Sequence, residues 1–148
     1  MSNQMSGNIA PGRGRVLLVD DDELVRLTAK TILEREHYDV AVASDGQQAL
    51  DEMSKSSANI VILDIIMPEK EGIETLLHLK REYPGVKVIA ISSGGRKGVD
   101  DFLMIAHRFG ADAALKKPIR PKVLLGHVER LLSRGTSSIE ETALGSQP

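Results

Sequence analysis

Four short runs rich in β-branched and aliphatic residues recur along the chain, Val16–Asp20, Val40–Ala43, Ile60–Asp64 and Val88–Ser92, with a weaker fifth at Ala113–Lys117. Each is too short and too continuously apolar for an amphipathic helix, so each predicts a strand buried on both faces. Between them apolar residues return at helical spacing: Val25, Ala29, Ile32 and Leu33, then Ala49, Leu50 and Met53, then Ile73, Leu76 and Leu77. The same spacing continues through Val99, Phe102, Leu103 and Ala106, and through Leu124, Leu125, Val128, Leu131 and Leu132. Strand followed by helix, five times over, predicts βαβ crossovers and an α/β fold, a parallel sheet with helices on both faces. The punctuation agrees: Asp45 sits as an N-cap, Pro84-Gly85 and Gly110 follow the third and fourth helices, and Pro121 opens the fifth.

The repeating unit occupies residues 15–134 of the 148. The stretches outside it, an N-terminal arm (1–14) and a C-terminal tail (135–148), are small and polar and read as flexible. Ser138 and Glu141 have the spacing of a capping box, enough for one marginal turn of helix. That leaves room for one domain of ordinary size, so its own surface is expected to carry its output. A net charge of −2 and 3% aromatic residues argue against direct nucleic-acid binding. The longest unbroken apolar run, Phe102 to Ala106, is five residues, far short of the ~18 needed for a membrane span. With no cysteine and no apolar leader stretch, the expectation is a cytoplasmic protein without disulfides or thiolate metal sites.

In an open parallel sheet ligands gather at the carboxyl ends of the strands. There the sequence puts Asp20, Asp21 and Asp22 after strand one, Asp64 after strand three, Ser92 and Ser93 after strand four, and Lys116-Lys117-Pro118 after strand five. If these strands are neighbours, carboxylates, a hydroxyl and an ammonium converge on one rim. Two carboxylates ~4 Å apart repel by about 4 kcal/mol at an effective dielectric of 20, so such a cluster asks for a cation. Oxygen-only ligands favour a hard ion, Mg²⁺ first, which commonly meets phosphate oxygens. An aspartate can itself be the nucleophile in phosphoryl transfer, forming an acyl phosphate.

The strings VLLVDDDELVR (16–26), VILDIIMPEKEG (61–72), VIAISS (88–93) and GADAALKKPI (110–119) resemble, in order and close to the spacing, the four motifs of the receiver domain of two-component response regulators. The resemblance covers residues 15–134 and implies a flavodoxin-like (βα)5 fold, a doubly wound five-stranded sheet of order 2-1-3-4-5. It implies Asp64 as the phosphoacceptor for a histidine kinase or histidine phosphotransfer protein. It further implies Asp21 as a direct Mg²⁺ ligand, Asp20 acting mainly through metal-bound water, and Ile66 offering its backbone carbonyl. Ser92 is then the switch hydroxyl and Lys117 the cation paired with the phosphoryl group, with Lys117-Pro118 cis. The chain is expected to be a single-domain bacterial-type regulator that catalyses only its own phosphorylation and dephosphorylation and docks a downstream protein, without membrane insertion.

Three departures stand out. Glu71-Gly72 replaces the usual Asp-Gly, and Ala114 stands where the family places an aromatic switch residue. The segment after Ser92, SGGRKGVDD, is longer than in the chemotaxis-type member, so the 93–99 loop, the helix from Val99 to Phe109 and strand five are expected to take over the switching. Two other readings are kept. One is a pseudo-receiver binding module without phosphotransfer, which Ala114 favours. The other is a haloacid-dehalogenase-like phosphatase, suggested by Asp20-x-Asp22, which lacks its later acidic pair. Asp20–Asp22 as simple helix caps, Ser92 as a turn former, and Glu69, Lys70, Glu71, Arg96 and Lys97 as solvated surface are the structural readings of the same residues.

Overall fold

The computed structural model describes residues 12–66, 71–93 and 99–136. Five strands alternate with five helices: β1 (Arg15–Val19), α1 (Glu23–Arg35), β2 (Asp39–Ala43), α2 (Gly46–Lys55), β3 (Ile60–Asp64), α3 (Glu71–Glu82), β4 (Lys87–Ser93), α4 (Val99–Arg108), β5 (Ala113–Lys117) and α5 (Pro121–Thr136). All neighbouring strands pair in parallel, in the order β2-β1-β3-β4-β5. This is the doubly wound, flavodoxin-like arrangement expected from the sequence.

Because strand side chains alternate, each central strand feeds two cores. Leu17, Val19, Val61, Leu63, Val88 and Ala90 pack with Ala49 and Met53 of α2, Leu76 and Leu79 of α3 and Ala106 of α4. Val16, Leu18, Ile60, Ile62, Ile89 and Ile91 pack with Ala29 and Leu33 of α1 and Leu124, Val128 and Leu131 of α5. Each such fully buried aliphatic side chain contributes about 1.5–3 kcal/mol. Two-sided burial is why these runs carry no polar residue until the strand ends.

The helix starts are chemically determined. Asp22 caps α1 by accepting from Leu24 N at 2.9 Å, and Asp45 caps α2 by accepting from Gln48 N at 2.8 Å. Gly110, with φ +112, takes the left-handed turn after α4 that a side chain would oppose. At the other end of the sheet Lys80 Nζ donates to Val86 O (2.8 Å) and pairs with Asp112 Oδ2 (2.9 Å), which also accepts from Val88 N (2.8 Å). This ties α3 and the approach to β5 onto the start of β4.

Residues 1–11 and 137–148, holding most of the expected arm and tail and the Ser138–Glu141 capping box, lie outside the described residues, as do 67–70 and 94–98. The last two spans include Glu69, Lys70, Arg96 and Lys97 and most of the loop expected to switch. Gly12 to Gly14, counted with the arm by composition, lie against the fold: Arg13 pairs with Glu129 at 2.6 Å and stacks over the Tyr38 ring at 4.9 Å. Composition missed this because the partners of Arg13 lie on α5 and after α1, far away in sequence.

Candidate functional site

The strand order brings the ends of β1, β3, β4 and β5 side by side, and their polar residues form one cluster. Leaving β1, the Asp20 N–H still bonds Ala43 O at 3.1 Å. Its side chain is 2% exposed and Oδ1 accepts from Asp22 N at 2.9 Å. The three consecutive aspartates therefore divide the work: Asp22 caps the helix, Asp20 is buried in the cluster, and Asp21 is exposed beside it. Capping accounts for one of the three.

Asp64, at the end of β3, is 3% exposed; Oδ1 accepts from Ile66 N at 2.9 Å, and Oδ2 faces Lys117 Nζ at 3.2 Å. The same ammonium lies 2.8 Å from Asp20 Oδ2, close enough for an ion pair. The contact is not aligned as a hydrogen bond, and Oδ2 is left without a hydrogen-bond partner. Lys117 reaches this point from the end of β5, before a cis Lys117-Pro118 bond. Ser92, opposite Lys116 in the β4–β5 register, is wholly buried, and its Oγ likewise has no partner.

Burial pushes the Asp64 carboxyl up to about 6, and the nearby Asp20 charge adds to this, while the Ile66 N–H and Lys117 oppose it. Burial also works against the Lys117 ammonium, yet Asp20 and Asp64 together outweigh it and hold the lysine above its ordinary value. One cation shared by two buried carboxylates leaves net negative charge, and Asp21 adds a third carboxylate. Oxygens of Asp20, Asp21 and Asp64 all lie within 4.8 Å of one another. An unpartnered buried oxygen costs about 1–3 kcal/mol; Ser92 Oγ is one, whereas Asp20 Oδ2 has the ion pair with Lys117. A hard divalent cation and the oxygens of a phosphoryl group suit this donor set.

The model of the response regulator receiver domain family matches residues 16–129. This chain belongs to that family. The receiver is 37% identical over 120 residues to the transcriptional regulatory protein CpxR of Escherichia coli (strain K12), a match covering 81% of this chain and 50% of that protein. It is 31% identical over 126 residues to the transcriptional regulatory protein SrrA of Staphylococcus aureus, covering 85% and 51%. The chain thus spans about half the length of these curated relatives. Among solved structures, a CheY-like receiver domain from Methanospirillum hungatei JF-1 superposes with a TM-score of 0.73 at 31% identity, covering 84% of this chain and 97% of that one. Receiver domains are signalling modules that bind Mg²⁺ at an acidic pocket, and in this chain Asp20, Asp21 and Asp64 form an acidic cluster at the strand ends. No helix among the described residues is long and apolar enough to cross a membrane.

Of the residues singled out from sequence, Asp20, Asp21, Asp64 and Lys117 come together, with Ser92 buried at the same strand ends. Ile66 enters through its N–H, which holds Asp64. Ala114 is half-buried, in register with Ala90 and packed on the α2–α4 side of the sheet. Sequence reasoning passed over two neighbours. The guanidinium of Arg26 donates to Asp20 O at 2.7 Å. At Gly72, a Cβ would run into the Ile65 backbone and the Asp64 carbonyl oxygen. The signal for Gly72 was its place in the Glu71-Gly72 pair; Arg26 gave none beyond being a cation one turn past an acidic triplet.

Proposed function

We propose that this receiver is a phosphoacceptor in a two-component phosphorelay, taking a phosphoryl group onto Asp64 from a histidine kinase or a histidine phosphotransfer protein. The observation that carries the reading is the buried Asp64 carboxylate, fixed by Ile66 N–H and Lys117, beside the Asp20 carboxylate that shares the same ammonium and a buried Ser92 Oγ that lacks a partner.

Asp21, Asp64 and the backbone carbonyl of Ile66 would hold Mg²⁺ directly, and Asp20 mainly through metal-bound water. The ion supplies positive charge to the phosphoryl oxygens when bound. An Asp64 carboxylate oxygen attacks the phosphorus of the donor. The O–P bond forms as the P–N bond to the donor imidazole breaks, and the leaving nitrogen takes its proton from solvent. Lys117 turns from Asp64 to the phosphoryl oxygens and the Ser92 hydroxyl donates to one of them, charge stabilisation that phosphoryl transfer needs more than covalent help. In the second half of the cycle water attacks the phosphorus, the O–P bond to Asp64 breaks, inorganic phosphate leaves, a proton passes to solvent and the carboxylate returns. The chain thus catalyses only its own phosphorylation and dephosphorylation.

Phosphorylation adds about −1.5 to −2 charges at this rim, and β4, α4 and β5 pass the change to a downstream protein target. Ala114 offers no ring to rotate into space vacated by Ser92, so the coupling runs through Ser92, Lys117 and the segment leading into α4. The same alanine favours a second reading, a binding module that keeps the fold without phosphotransfer. Incubation with Mg²⁺ and acetyl phosphate, followed by intact mass, separates the two. A one-phosphoryl mass gain in the wild type that is lost in Asp64→Asn is expected; no gain in the wild type leaves the binding module.

A further inference from the structure

Asp21 is the least restrained of the three clustered carboxylates. The Asp20 carboxylate is held by Asp22 N–H and Lys117, and that of Asp64 by Ile66 N–H and Lys117. Among the described residues no hydrogen bond or ion pair fixes the exposed Asp21 side chain. Its position therefore depends on its backbone, and first on the peptide plane joining Asp20 to Asp21. Arg26, half-buried in the first turns of α1, holds that plane: its Nη1 donates to Asp20 O at 2.7 Å, a short, charge-assisted bond. The Arg26 backbone N–H in turn accepts its place from the cap, donating to Asp22 O at 3.1 Å. The helix that Asp22 caps thus carries the side chain that fixes the turn before it.

We infer that Arg26 is a positioning residue for the cation site, pinning the Asp20–Asp21 peptide so that the Asp21 carboxylate projects toward Asp20 and Asp64. The inference rests on the proposed Mg²⁺ site. Arg26 acts through the hydrogen bond to a carbonyl oxygen, and its charge by itself opposes a second cation in the same cluster. The two contributions have opposite signs, which makes them separable. Losing the bond weakens cation binding; losing only the charge strengthens it.

The test is a Mn²⁺ titration of the full chain followed by electron paramagnetic resonance, with Mg²⁺ as competitor and urea unfolding measured in parallel. Arg26→Met removes both bond and charge, Arg26→Gln keeps a donor without the charge, and Arg26→Lys keeps a charged donor. For a residue that orients a ligand, loss of the bond weakens affinity by about 10-fold or more. Arg26→Met is therefore expected to bind Mn²⁺ about 10-fold more weakly, with Arg26→Lys recovering most of the affinity and Arg26→Gln, which keeps the bond without the charge, binding at least as tightly as the wild type. Equal or tighter binding by Arg26→Met overturns the inference, as does a loss of stability in Arg26→Met with affinity unchanged. Absence of Mn²⁺ binding by the wild type instead contradicts the proposed cation site itself.

Discussion

At the scale of the residue, the determining fact is that Asp64 is buried with another carboxylate and shares one ammonium with it. Its folded-state value of about 6 stands against an ordinary 3.8. Between these values the folded protein keeps a proton that the unfolded chain has released, so stability falls as pH rises and the loss is complete above about pH 6. The separation amounts to about 3 kcal/mol. Asp64→Asn removes this cost. In metal-free buffer its stability advantage over the wild type, read by urea unfolding, should be small near pH 4 and approach about 3 kcal/mol by pH 7; a pH-independent difference would contradict the account. Lys117→Met moves the other way, because it strands two buried carboxylates. At pH 7 it should destabilise the metal-free protein by roughly 3 kcal/mol, a loss that shrinks when the carboxylates are protonated at low pH. That these residues would come together was legible because each stands where an apolar strand stops. Their division of labour was not: nothing in Asp20-Asp21-Asp22 says which carboxylate caps, which is buried and which faces solvent until the turn is built.

At the scale of the element, the two-sided strands and the helix stripes were readable because burial on both faces leaves continuous apolar runs, and burial on one face leaves 3.6-residue spacing. β3 and β5 match their expected bounds, while β1 ends at Val19, one residue short: the Asp20 N–H makes a last bond to Ala43 O as its carboxylate accepts from Asp22 N at the turn into α1. Contacts between elements were the illegible part. Arg13 against Glu129 spans 116 residues of sequence, and the approach of α3 to the chain after Asp64 leaves no periodic trace. That approach predicts a sharp effect at Gly72, where any Cβ meets the Asp64 carbonyl and Ile65 backbone rather than a flexible side-chain tip. Gly72→Ala should cost about 3 kcal/mol or more and weaken Mg²⁺ binding, since relief must come from moving either α3 or the segment that carries Asp64 and Ile66. Retention of both stability and affinity would show that α3 shifts freely.

At the scale of the whole molecule, a net charge of −2 hides one locally acidic rim whose repulsion weighs on the fold until a cation offsets it. Mg²⁺ should therefore stabilise the entire cooperative unit by linkage, about 2.7 kcal/mol at a hundredfold excess over Kd. For a chain of this size that is a rise in Tm of roughly 5–10 °C, and it should be absent in Asp21→Ala. The receiver family and its fold follow from the sequence and the strand order together, and the proposed chemistry rests on Asp64. The most direct measurement is peptide mapping by mass spectrometry after incubation with Mg²⁺ and acetyl phosphate. The account predicts one Mg²⁺-dependent, hydroxylamine-labile phosphoryl group on the peptide containing Asp64. A phosphoryl group elsewhere, or none on a folded protein that binds Mg²⁺, would contradict it.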